Sequence, residues 1–116
     1  MSSPITTHIL DTSLGQPAKG VKVTLECQLS GEAADWQSLG DGITNDDGRI
    51  VDLLSEGQLV AGTYRIHFLV GDYFKAGGRD AFYPEVSIVF EVKNPQEHYH
   101  VPLLLNPFGF STYRGS

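Results

Sequence analysis

Two histidines, His98 and His100, stand two residues apart in the run His98-Tyr99-His100-Val101-Pro102-Leu103-Leu104-Leu105. In an extended strand successive side chains alternate, so both imidazoles leave the same face. A third, His8, lies mid-run in a β-branched segment and shares a face with Thr6 and Leu10. An imidazole titrates near neutrality and can take or give a proton at pH 7. Two arginines add fixed positive charge: Arg49, directly after Asn45-Asp46-Asp47-Gly48, and Arg114, in the closing Tyr113-Arg114-Gly115-Ser116. A guanidinium can hold an anion or oppose charge developing on an oxygen. Residues 98–116 are therefore the most chemically loaded stretch, with two potential bases, a guanidinium and a hydroxyl within one hairpin's length. We expect the chain to end at Ser116.

Taken singly, each of these residues has an ordinary reading. His8 is a histidine hydrogen-bonded within a sheet. His98 and His100 occupy a solvated edge, because Pro102 on their face cannot donate a ladder hydrogen bond and points to an edge, a bulge or an interface. Arg49 and Arg114 are surface charges, and an aromatic strand followed by a polar tail is a frayed end. His67 lies opposite the apolar face of its strand and is expected to be exposed. A zinc reading of His98 and His100 lacks a third ligand, since no Cys or carboxylate flanks them at a recognisable spacing, and no metal is expected. Cys27 sits on an apolar face and reads as core rather than nucleophile. Asp35, Asp41, Asp46, Asp47 and Asp52 lack the spacing of a calcium loop. Neither a G-x-S-x-G elbow nor a phosphate loop occurs.

The elements that must position these groups are strands. Ile5 to Asp11 reads as the first, and Ser13-Leu14-Gly15-Gln16-Pro17 as turn material. Val21, Val23, Leu25, Cys27 and Leu29 alternate with polar residues, which describes a half-buried strand. Residues 31–35 read as a loop and 36–40 as a short strand. Asn45 to Gly48 is a turn, and 50–54 a short apolar run. Residues 63–70 alternate again, with Tyr64, Ile66, Phe68 and Val70 facing one way. Residues 73–78 hold one helical turn before Gly77-Gly78 breaks it. Val86, Ile88, Phe90 and Val92 alternate after Pro84, and the histidine run and a strand near residues 110–113 complete the chain. Seven to eight short strands with one short helical turn predict an all-β sandwich.

One domain spanning residues 1–116 suffices for this, burying roughly two-thirds of the unfolded surface. A net charge of −6 with eight Lys and Arg leaves no basic stripe, which argues against nucleic acid or an anionic membrane as partner. A single cysteine excludes an internal disulfide and fits a reducing compartment. No leader pattern and no membrane-spanning run is found, so a cytoplasmic protein is expected; a targeting segment removed before Met1 would make it periplasmic or peroxisomal.

Together the residues resemble the transthyretin-related family of 5-hydroxyisourate hydrolases over essentially the whole chain. The matching segments are Thr7-His8-Ile9-Leu10-Asp11, Gly15-Gln16-Pro17-Ala18, residues 44–49, Gly62-Thr63-Tyr64-Arg65, Phe82-Tyr83-Pro84-Glu85, the histidine run and the terminal tetrapeptide. The resemblance implies a transthyretin-like β-sandwich assembled as a homotetramer, a dimer of dimers with active sites in the channel between dimers. It implies hydrolysis of 5-hydroxyisourate in urate degradation, without a cofactor. By that likeness His8, Arg49, His100 and Ser116 are catalytic. His8, Arg49, Tyr113, Arg114, Gly115 and Ser116 bind substrate, and His98 is a possible support. The rival reading is a small-molecule carrier of the transthyretin kind, since fold alone does not choose between them; a metal-binding module using His98 and His100 is a third. Which histidine is the general base stays open.

Overall fold

The structure, a computed structural model, describes residues 3–28 and 35–116, so Leu29 and all but the last residue of the expected 31–35 loop lie outside the described residues. Two sheets face each other. The first is built on β1 (Ile5–Asp11), which pairs with β2 (Gln16–Pro17), β5 (Arg49–Ile50) and β8 (Tyr99–Asn106), and β8 carries β9 (Gly109–Thr112). The second runs in the order β4 (Trp36–Ile43), β3 (Lys22–Gln28), β6 (Gly62–Phe68), β7 (Val86–Val92). Alternation drives the packing: Ile5 and Ile9 of β1 and Leu103 of β8 are fully buried, as are Leu25, Ile66 and Phe68 of the opposite sheet. Removing such side chains from water is the main source of stability here.

The fold brings the first and last parts of the chain together. β1 and β8 run parallel, in register from Ile5 opposite Tyr99 to Asp11 opposite Leu105. The other edge of β1 is shared: β5 covers Thr7 and His8, while β2 covers Leu10 and Asp11. Between them Ile9 donates its N–H to the Gly48 carbonyl at 2.8 Å. Gly48 has φ +74°, and a Cβ there would come within 2.4 Å of the Ile9 carbonyl. Only glycine combines that conformation with that approach.

Three expectations are corrected. The helix α1 (Val70–Ala76) starts where the strand pattern seemed to continue and is longer than one turn. Val70 and Phe74, both buried and four residues apart, form its apolar stripe. It closes with Gly78 at φ +70°, whose N–H bonds to Lys75 O while Arg79 N–H bonds to Phe74 O. The strand expected at 36–40 runs on to Ile43 against β3. Pro102 is buried in a central strand rather than at an edge, opposite His8 of β1. Its missing N–H faces the tail side, in the gap between the β9 ladder, which stops at Leu103 opposite Thr112, and an isolated bridge of His100 to Gly115.

Fully buried Asp11 locks the end of β1 to α1, accepting hydrogen bonds from Tyr73 Oη and Arg79 Nη2 at 2.7 Å and from Ser13 Oγ at 2.6 Å. Burial alone would raise the Asp11 pKa, but these donors outweigh it and hold the carboxyl at about 2. Burial and the bond to Asp11 push the Tyr73 phenol up to about 12.

Candidate active site

On β1 the residues pointing away from the core are Thr6, His8 and Leu10; on β8 they are His100, Pro102 and Leu104. The parallel register sets Thr6 beside His100 and His8 beside Pro102, so the two imidazoles are diagonal neighbours on one outward face. Arg49 enters this face from β5, directly opposite His8. Its position is set by the preceding turn, where Asn45 Oδ1 accepts the N–H groups of Asp47 at 2.9 Å and Arg49 at 3.0 Å. An asparagine bonding its own backbone two residues on is what such turns use.

Thr6 is the residue that sequence reasoning passed over. Its hydroxyl lies 2.8 Å from His100 Nδ1 and 3.1 Å from His98 Nε2, holding both rings. The two rings stack with centroids 6.4 Å apart. The only signal was its parity with His8 along β1.

A depression of about 230 Å³ opens on this face, lined by Thr6, Thr7, Arg49, Val51, His98, His100 and Ser116. His8 does not line it directly. Both histidines nevertheless respond to the same guanidinium. Burial, then Arg49, lowers the His8 pKa below 6.5, with the Asp47 backbone and carboxylate opposing. Burial, then Arg49, His8 and His98, lowers His100 below 6.5, with a main-chain hydrogen bond at Thr6 opposing. Desolvation and neighbouring positive charge both disfavour imidazolium, so each ring is biased toward its neutral, proton-accepting form at pH 7. Arg49 forms no ion pair among the described residues. No group of three potential metal ligands occurs among the described residues.

The tail reaches the face through Gly115, whose N–H bonds to His100 O at 2.8 Å. A Cβ at Gly115 would lie 2.5 Å from His100 Cδ2 and 3.2 Å from Pro102 Cγ, so glycine permits this close pass. Ser116 then lines the depression. Tyr113 and Arg114 go elsewhere. Arg114 Nη2 donates to Glu97 Oε1 at 2.9 Å and to His98 O at 3.2 Å, and its guanidinium sits 4.4 Å from the Tyr99 ring centroid. With Tyr113 it borders a second groove between β7 and the β8–β9 edge, which His100 also lines.

His67 departs from expectation too. It points outward on the second sheet, but only 21% of its side chain is exposed. Its Nε2 lies 2.6 Å from Glu26 Oε1 and its Nδ1 2.7 Å from Ser87 Oγ. Cys27 is half-buried against the core, and burial pushes its thiol pKa up, away from nucleophilic character.

Known proteins resemble this chain over nearly all of its length. A 5-hydroxyisourate hydrolase of Mus musculus is 44% identical over 115 residues, covering 99% of this chain and 97% of its own. The structure of Klebsiella pneumoniae 5-hydroxyisourate hydrolase superposes with a TM-score of 0.80 at 39% identity, covering 97% of this chain and 92% of its own. Sea bream transthyretin in complex with thyroxine superposes with a TM-score of 0.87 at 31% identity, covering 97% of this chain and 94% of its own. Residues 5–115 match the family described as HIUase/Transthyretin, and the chain belongs to that family.

Proposed function

We propose that this protein hydrolyses 5-hydroxyisourate to 2-oxo-4-hydroxy-4-carboxy-5-ureidoimidazoline, a step of urate degradation. One observation carries the reading over that of a carrier: two half-buried imidazoles biased to the neutral form flank an arginine with no ion-pair partner among the described residues. A site for an apolar ligand has no use for that combination, whereas water activation beside an electron-poor carbonyl does. The relatives named as 5-hydroxyisourate hydrolases support the same choice.

In this reading His100, which lines the depression, takes a proton from water as the oxygen attacks the cyclic amide carbonyl. Arg49 opposes the charge that collects on the carbonyl oxygen. The carbon–nitrogen bond then breaks, and the ring nitrogen leaves with a proton supplied by His8 or returned by His100. The activated carbonyl needs no cofactor. Ser116 offers a hydroxyl to the substrate from the tail.

We read the assembly as a homotetramer with sites between dimers. In support, β7 and β9 are both unpaired sheet edges, and Phe108 and Tyr113 stand 72% and 58% exposed. In that assembly Tyr113 and Arg114 complete a neighbour's site. The test is ultraviolet decay of 5-hydroxyisourate generated from urate in situ. Decay at the uncatalysed rate with protein present rejects the reading.

A further inference from the structure

We propose that Thr6 joins His100 to His98 as a proton relay, Thr6 being the positioning residue and His98 the exit to solvent. The proposal rests on the hydrolase reading above and adds to it how His100 sheds and regains its proton. Thr6 Oγ1 is within hydrogen-bond distance of His100 Nδ1 (2.8 Å) and His98 Nε2 (3.1 Å) at once. A hydroxyl has one proton, so it donates to one ring and must accept from the other. The two tautomers are therefore coupled. With His100 protonated on Nδ1, that N–H donates to Thr6, Thr6 donates to His98 Nε2, and His100 Nε2 is free to act as base. With the chain reversed, His98 Nε2–H donates to Thr6, Thr6 donates to His100 Nδ1, and His100 Nε2 carries the proton.

Because the leaving nitrogen becomes part of an uncharged ureido group, the turnover leaves a carboxylate and one net proton, released when the new carboxylic acid ionises. Before that, the proton taken from the attacking water must be held or passed on. When His100 Nε2 takes the proton from water, its ring becomes imidazolium beside Arg49 and His8. Burial and those charges disfavour that state, as the lowered pKa records. His98 is exposed. The Nδ1–H bond of His100 breaks as a Thr6 O–H forms, and the original Thr6 O–H breaks as His98 Nε2–H forms. His98, now the imidazolium, gives its Nδ1 proton to water. The opposite sequence resets the chain: His98 Nδ1 takes a proton from water, His98 Nε2 passes one to Thr6, and Thr6 passes one to His100 Nδ1. His100 meanwhile hands its Nε2 proton to the leaving nitrogen. The relay thus sends one proton out as water attacks and brings one in as the carbon–nitrogen bond breaks, the net proton of the turnover coming from ionisation of the new carboxylic acid. Thr6, 8% exposed, shields the middle of the path.

Two readouts test this. In kinetics, Thr6→Val should lower kcat about tenfold with KM within about twofold, Thr6→Ser should restore most of it, and the Thr6→Val, His98→Gln double variant should be no worse than either single one, since a broken chain cannot be broken twice. In the resting wild type, nitrogen NMR at pH 8 should find His98 and His100 in the same tautomer, and Thr6→Val should uncouple them. Opposite tautomers in the wild type, wild-type kcat in Thr6→Val, equal impairment of Thr6→Val and Thr6→Ser, or additive losses in the double variant would each overturn the relay. A wild type without hydrolase activity rejects the function above, and the NMR result then still decides the hydrogen-bond chain.

Discussion

The two sheets each turn an arginine and a histidine outward, and they treat them oppositely. On the second sheet Arg65 and His67 share one carboxylate, Glu26 Oε1, at 2.8 Å and 2.6 Å. Glu85 Oε1 stands a further 3.3 Å from His67 Nδ1, and Arg65 stacks 4.1 Å over Trp36. On the first sheet Arg49 has no ion pair among the described residues, and the one carboxylate felt by His8, that of Asp47, is the smallest of the influences on it. The same side-chain types thus make a neutralised network on one face and, on the other, a site whose arginine has no ion pair among the described residues. Arg49 is exposed, so its charge is tolerated without a carboxylate, and it stands beside two half-buried imidazoles. In a chain of net charge −6, leaving Arg49 without its own carboxylate is what keeps it available to an anionic or electron-rich ligand.

The largest break in this comparison is to reverse the charge. Arg49→Glu should lower kcat/KM by about a hundredfold or more, the scale of losing one group that stabilises an oxyanion. A smaller effect should follow from giving Arg49 the partner that Arg65 already has. Val51 lines the depression and is 52% exposed, so Val51→Glu can reach the guanidinium without disturbing the core. It should raise KM about tenfold with a lesser change in kcat, as expected when a rim charge competes with the ligand. An unchanged KM would mean that Arg49 does not meet the substrate.

The pH dependence sharpens the contrast. Both site histidines have pKa values lowered below 6.5, by burial first and Arg49 second. The basic form is the active one, so kcat/KM should stay level as pH falls to 6.5 and decline only below it. Replacing Arg49 with Gln should bring both titrations, followed by NMR, part of the way back up. Stability has the same sign. The unfolded chain binds these protons first, so the folded state loses stability as pH drops from 6.5 through the lowered values. Asp11 adds its own loss further down, as pH falls from 3.8 toward about 2. The smallest effect belongs to the neutralised face: His67→Gln should cost about 1 kcal/mol of stability in thermal unfolding and leave hydrolysis within about twofold.

Much of the scaffold is legible in the residues. The alternation in β3, β6 and β7, the β-branched opening strand and the Asn45–Gly48 turn each correspond to an element in place, because local pattern and tertiary burial agree there. Val70 misled because it continues the two-residue period of Tyr64, Ile66 and Phe68, and only packing against the core shows that it begins a helix instead. β4 reaches Ile43 through Gly40 and Gly42, poor strand formers held by pairing with β3. At the site, residue types and strand parity point to His8, His98 and His100, but cross-strand register is not written in either strand alone. Thr6 between two imidazoles and Glu26 beside His67 arise only when distant strands align. The course of Arg114 to Glu97 rather than into the depression depends likewise on how the tail crosses His100.

The most direct test is the decay of 5-hydroxyisourate, generated in situ, measured with wild-type protein and with His100→Asn, once both are shown to be equally folded. Neutral imidazole acting on the face that carries Arg49 predicts fast decay with the wild type and a loss of about a hundredfold or more in the variant. Decay within a few-fold of the wild-type rate in His100→Asn would contradict it.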